Sequence, residues 1–185
     1  PTVARITSTL VSLGYLKQLP NTTKYLLDVG VLALGYAALS NISARTQAYP
    51  FMEEMSRYSQ APVAMATRDR LSMIYLEVVH TESTLTMRRP VGSTLPIHSS
   101  AMGRACLAAM DVKEREYLFD AIKKRNEDQW PTIKRNLERA IRDYQDYGYC
   151  LSLGDWAKDV NSVAVPLVHP KHGILTFNCG APSYL

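Results

Sequence analysis

The order in which hydrophobic periods change along the chain does most to narrow its fold. Extended runs at residues 62–67, 73–79 and 85–89 come first, and three helical patterns at 99–109, 112–124 and 131–147 follow. Extended runs then return at 149–153, 162–168 and 174–179. Asp69 and Arg70 turn the chain between the first two runs, and residues 170–173 turn it between the last two. Strands joined by turns this short pair antiparallel. The helices have matching punctuation, with Ser99 and Ser100 as N-cap candidates for the first and Gly148 as the stop of the last. A further helical stretch at 49–59 precedes the first strand. Strands, then helices, then strands predict an α/β (α+β) domain, with a largely antiparallel sheet and helices packed on it.

Ahead of this domain stands something smaller. Residues 1–13 put Pro1 at a natural first helical position, space Val3, Ile6, Leu10 and Leu13 by threes and fours, and stop at Gly14. The opposite face carries Thr2, Arg5, Thr9 and Ser12, which can hydrogen-bond phosphates and base edges or simply be solvated. Two short extended runs, 15–19 and 24–27, then flank Pro20, Asn21, Thr22 and Thr23, a cluster of turn formers. A helix followed at once by a hairpin is the second half of a winged helix-turn-helix, with the helix in the major groove and Lys24 of the hairpin approaching the backbone. The two helices that precede such a pair in a complete reader are not in the sequence, so the unit reads as partial. From Val29 to Ser43 a helix rich in Leu and Ala is apolar over much of its surface and wants a partner, either the same helix of a second subunit or its own chain.

The 185 residues are enough for one sensor-sized domain and a small appendage. A hydrophobic content of 46% against 21% charged is the balance of a folded soluble protein, and no apolar run reaches the roughly 18 residues that span a bilayer, so no membrane partner is expected. The net charge of +4 permits an acidic partner without requiring one, because the basic residues between 113 and 142 alternate with Glu and Asp as on solvated helix faces. Cys106, Cys150 and Cys179 are odd in number and far apart, which predicts neither a disulfide framework nor a zinc site and suggests a cytoplasmic setting.

Set side by side, several segments make the chain resemble the IclR family. Pro1-Thr2-Val3-Ala4-Arg5-Ile6, running to Leu13-Gly14-Tyr15-Leu16, is similar to that family's recognition helix and first wing strand. Tyr25-Leu26-Leu27-Asp28-Val29-Gly30 and Leu32-Ala33-Leu34-Gly35 resemble its second wing strand and linker helix. The most specific match is Val91-Gly92-Ser93-Thr94-Leu95-Pro96 leading into Ser99-Ser100-Ala101-Met102-Gly103-Arg104-Ala105, followed in order by Gly148-Tyr149 and Asn178-Cys179-Gly180-Ala181-Pro182. The resemblance implies a partial winged helix-turn-helix at 1–27, a linker or dimerisation helix at 28–45, and an effector-binding domain of GAF/PAS-like type with a curved sheet at 46–185. It implies a bacterial regulator that binds operator DNA through Thr2, Arg5, Thr9 and Lys24, self-associates as a dimer or tetramer, and responds to a small organic acid. It also implies no cofactor and no covalent chemistry. Carried over by position, the effector pocket comprises Met87, Leu95, Ser100, Ala101 and Met102, with Ser162, Asn178 and Gly180 on the last strands and Ser152 or Leu153 beside them. Two departures are the weakly acidic loop 152–155, where members usually carry more carboxylates, and the absence of a further helix after Leu185.

Physical chemistry makes such a pocket sensible. The opening of a helix at Ser99 to Gly103 presents unpaired N–H groups and a positive dipole end to an anion, and small residues let a ligand approach. Each residue also has a plainer role: Ser100 can cap its helix, Asn178 can satisfy a strand end, and Met87 can fill the core. Enzyme readings are weaker. His98 beside Ser99 and Ser100 is the one tempting adjacency, yet neighbours in sequence rarely meet and no G-x-S-x-G elbow is present. Cys106 sits in an apolar helical stretch, and His169 and His172 flank a turn with no third ligand at a metal-binding spacing. No catalytic or metal residues are therefore expected. A small-molecule-binding module without DNA binding is the alternative to a regulator.

Overall fold

The computed structural model describes residues 2–80 and 89–184. The chain divides at Ser43/Ala44 into two units.

In the first unit, α1 (Thr2–Ser12) ends at Gly14, whose φ of +72° is the left-handed conformation that closes helices. Strands β1 (Leu16–Gln18) and β2 (Tyr25–Leu27) pair antiparallel, Leu16 opposite Leu27. Asn21 takes a left-handed φ of 57° in the turn between them, and the Gln18 side-chain amide donates to the Thr22 carbonyl at 2.6 Å. Helix α2 (Gly30–Ser40) is shorter than the apolar run implies, because Asn41 and Ile42 interrupt it before α3 (Ser43–Ser59) starts. Helix α3, which from Ala44 onward belongs to the second unit, begins six residues earlier than its pattern indicates. It runs through Pro50, which forfeits a hydrogen bond to the Thr46 carbonyl and so reads as a boundary in the sequence.

The second unit is built on an antiparallel six-stranded sheet in the order β5-β4-β3-β8-β7-β6, curled into a half-barrel. Its strands are β3 (Val63–Asp69), β4 (Ser72–Val79), β5 (Thr94–Pro96), β6 (Cys150–Leu153), β7 (Val160–His169) and β8 (Gly173–Pro182). The expected run at 85–89 lies almost wholly outside the described residues. Strand β5 has no sequence signal, since three residues ending in Pro carry too little periodicity. Helices α4 (Ala101–Ala109), α5 (Val112–Arg125) and α6 (Trp130–Tyr147) occupy the three expected positions.

The core lies between one face of the sheet and these three helices. Helix α4 packs across β6, β7 and β8, and α6 packs on α4 and β6. Ile133, Leu137 and Ala140, spaced by four and three, form the inward stripe of α6 and join Leu118 and Ile122 of α5. Burying a side chain such as Leu137 contributes about 1.5 to 3 kcal/mol. Helix α4 approaches the loop before it so closely that a Cβ on Gly103 would run into the Ile97 backbone. The glycine is therefore a packing requirement.

A β-bulge between Met65 and Ala66 organises the opposite edge. Ala66 pairs with Tyr75 and Met65 with Glu77, leaving Leu76 as the extra residue. The added residue resets the alternation of β4, so Tyr75 and Val78 share a face although they are three apart. Glu77 is thereby turned to the other side, where its carboxylate accepts from Arg45 Nε of α3 at 2.7 Å.

Candidate ligand-binding site

Cross-strand register gathers the floor of a cavity in the second unit. Ser162 lies opposite Gly180, and Asn178 has Ala164 on one side and Ala64 on the other. All five point to the same face of the sheet, by the period of two along each strand. Four are small, and a Cβ added to Gly180 would sit 3.3 Å from the Ser162 Cβ and 3.7 Å from the Asn178 amide nitrogen. The space over them, about 50 Å³, is bounded on one side by Leu95, Ser100 and Ala101 at the opening of α4, and on another by Tyr75 and Val78. Arg89 and Trp156 complete the wall.

The α4 opening is ordered by Ser100. Its backbone is extended (φ −80°, ψ 148°), its hydroxyl accepts from the Gly103 N–H at 3.1 Å, and the same hydroxyl donates to the Pro96 carbonyl at 2.7 Å. The hydroxyl is thus spent on capping, and what the helix end still offers a ligand is backbone and dipole. Among the described residues, the Ser162 hydroxyl and the Asn178 amide have no hydrogen-bond partner, although both border the cavity.

Arg104 organises the loop after β6. Its side chain is 2% exposed, and its Nη1 donates to the Leu151 carbonyl and to Asp155 Oδ2, each at 2.8 Å. The only acid of residues 152–155 is therefore tied to a buried guanidinium. Gly154 N–H to the Val160 carbonyl and Val160 N–H to the Ala157 carbonyl, both 3.0 Å, close the same loop. The loop carries Trp156, and the Arg89 guanidinium lies 4.6 Å over its ring. Arg89 is the charged residue among those described around the cavity.

Of the residues anticipated from sequence, Leu95, Ser100, Ala101, Ser162, Asn178 and Gly180 meet at this cavity. Met102 lies beside it in the core, fully buried, and Ser152 is buried with its hydroxyl donating to the Ser99 carbonyl at 2.8 Å. Leu153 is exposed, and Met87 falls outside the described residues. Lining residues that sequence reasoning missed include Tyr75, Val78, Arg89 and Trp156. A Trp in a Gly-Asp-Trp turn was the one available signal, since a large aromatic in a polar loop usually has something to cover. In the first unit Thr2, Arg5, Thr9 and Lys24 are all exposed, and the Thr9 hydroxyl donates to the Arg5 carbonyl at 3.0 Å.

The groups weighed for catalysis are quiet. Burial pushes the thiols of Cys106 and Cys150 up to about 12, far from a reactive thiolate. Burial, with Arg104 nearby, lowers His98, so its ring is neutral at neutral pH. His169 and His172 stack with ring centroids 4.6 Å apart, and among the described residues no group of three potential metal ligands exists. No helix among those residues is long and apolar enough to cross a membrane.

Comparison with known proteins converges on one family. Residues 36–175 match the family profile described as bacterial transcriptional regulator IclR C-terminal. The HTH-type transcriptional regulator TsaQ1/TsaQ2 of Comamonas testosteroni is 37% identical over 169 residues, covering 90% of this chain and 61% of its own length. The regulator KdgR of Escherichia coli is 26% identical over 167 residues, with 90% and 64% covered. The chain thus spans a little over three fifths of these relatives. Among solved structures, an IclR family regulator from Brucella abortus superposes with a TM-score of 0.95 at 57% identity, over all of this chain and 70% of that one. An IclR homologue from Microbacterium hydrocarbonoxydans, solved with 4-hydroxybenzoate, shares the fold at a TM-score of 0.70 and 20% identity, over all of this chain and 76% of that one. These relatives are transcriptional regulators rather than enzymes. The chain belongs to the IclR family of bacterial transcriptional regulators.

Proposed function

We propose that the protein is a ligand-responsive regulator in which the cavity on the half-barrel sheet receives a small organic acid and occupancy alters binding of operator DNA. The observation that carries this reading is the cavity's chemistry. A floor of small side chains offers the Ser162 hydroxyl and Asn178 amide, while the α4 opening and Arg89 supply positive potential with no carboxylate beside them among the described lining residues. Asp155, the acid that would repel such a ligand, is neutralised by Arg104.

In the same reading, residues 1–27 are part of the DNA reader, 28–45 link and dimerise, and 46–185 sense the effector. Exposed Thr2, Arg5 and Thr9 on α1 suit the major groove, and Lys24 suits the flanking phosphates. Leu32, Leu34 and Tyr36 of α2 are more than half exposed, which suits burial against a second subunit in a dimer or tetramer. A ligand acts by binding one arrangement of the subunits better than another.

A thermal-shift panel from two-carbon oxo acids to hydroxylated benzoates tests the sensor. At about a hundred times its dissociation constant, a ligand raises the melting temperature by roughly 5 to 10 °C. Gly180→Val, which fills the cavity floor, abolishes the rise. In the whole regulator, Arg5→Ala weakens operator binding about tenfold, in line with loss of one base or phosphate contact. Unchanged affinity in that variant would favour a binding module without DNA recognition.

A further inference from the structure

Nothing in the sequence hints that Arg89 and Trp156 meet, yet together they make the most specific feature of the cavity wall. A guanidinium 4.6 Å over an indole ring is already partly desolvated and loses little rotamer freedom when it receives an anion. Its edge carries N–H donors in the fork that fits a carboxylate. Tyr75 lines the same space as Arg89, its phenol pushed up by burial while the Arg89 charge works in the opposite direction. Two flat π surfaces, Trp156 and Tyr75, therefore border the space beside one cation.

Trp156 is also held firmly. Asp155, its neighbour, is anchored to Arg104, and the two backbone hydrogen bonds at Gly154 and Val160 close the loop on either side. A preorganised aromatic wall favours a rigid, flat ligand, because neither partner loses freedom on contact.

Resting on the effector reading above, we propose that Arg89 and Trp156 are specificity-determining residues of this cavity: Arg89 takes the carboxylate of a planar, conjugated acid, and Trp156 supports its flat frame. Saturated acids of similar size are bound less well, and neutral amides of the same shape lose the ionic contact. Arg104 and Asp155 act as positioning residues through the loop.

The test is calorimetric titration of the full chain with benzoate, cyclohexanecarboxylate and benzamide. The unsubstituted chain binds benzoate about tenfold more tightly than cyclohexanecarboxylate, the preference expected of an aromatic contact in a desolvated site. Trp156→Leu brings the two within about twofold, and Arg89→Gln weakens benzoate roughly tenfold or more while benzamide is unaffected. Arg89→Lys restores part of the benzoate affinity, because charge returns without the fork. A second readout guards against misfolded variants: in Trp130→Phe, Trp156 is the sole indole, and benzoate changes its emission.

A preference for benzoate that survives Trp156→Leu, or benzoate affinity that survives Arg89→Gln, would overturn this inference and leave the effector reading standing. Unaltered Trp156 emission at saturating benzoate would do the same. No binding of any carboxylate by the unsubstituted chain would overturn both.

Discussion

The two units of this chain treat apolar side chains in opposite ways. Among residues 2–43 no side chain is buried, and Val3, Ile6, Leu13, Leu27, Leu32 and Tyr36 are each more than half exposed. Between 44 and 184, by contrast, a continuous cluster reaches from Ala64 to Ala164 and includes side chains such as Ile97, Met102 and Leu137 with at most 1% exposure. Both regions have well-patterned helices, so amphipathic pattern alone does not report burial. A pattern states which face wants cover, and only the second unit supplies that cover from its own residues.

Paired substitutions can break this contrast. Gly103→Ala carries the largest expected effect, a loss of about 4 kcal/mol or more in urea denaturation, because the new methyl has no room beside the Ile97 backbone. Its counterpart, Gly35→Ala in α2, meets nothing within 4 Å and strengthens that helix by about 0.5 to 1 kcal/mol, read as slower amide exchange over residues 30–40. Equal destabilisation by both would mean that α2 is packed as closely as α4.

Next in size comes Leu107→Ala, which empties a fully buried site and costs about 2 to 4 kcal/mol in the same experiment. Leu32→Ala removes a side chain that is 71% exposed and changes the stability of dilute protein by no more than about 0.5 kcal/mol. If α2 pairs between subunits, that variant instead weakens self-association in sedimentation, which sharpens the contrast into one between intramolecular and intermolecular cover.

The smallest effect concerns pH and the second unit alone. Burial holds His98 below its ordinary value of 6.5. Above that value the ring is neutral folded or unfolded, and nothing is lost. As pH falls through it, the unfolded chain takes up the proton first, so stability declines until the folded ring is protonated as well. The melting temperature therefore falls between pH 7 and 5, and His98→Gln reduces that slope. An unchanged slope would place the acid sensitivity elsewhere.

Much of the second unit was legible in its residues because the signals are local. Ser100 capping α4, Gly148 closing α6 in a left-handed turn, and the 4-and-3 spacing on α6 are properties of neighbours in sequence. The extent of the helices near Pro50 and Asn41 was less legible, since tertiary packing carried one through a proline and the other stopped short of its pattern. Half of the cavity was anticipated through residues on the α4 opening and the last two strands, and that reading leaned on family resemblance as well as on pattern.

What the sequence determined by itself is the succession of strands and helices, the polarity of their faces, and the glycine and serine positions that punctuate them. All of these follow from backbone preferences and from contacts a few residues apart. Only the tertiary structure decided that a bulge beside Ala66 turns Tyr75 and Val78 inward and Glu77 out to Arg45, that Arg104 reaches 51 residues along the chain to Asp155, and that Arg89 and Trp156 share one wall. These pairings depend on strand register and on side chains brought together by long loops. A shift of a single residue in register would have reversed the faces of Tyr75, Val78 and Glu77.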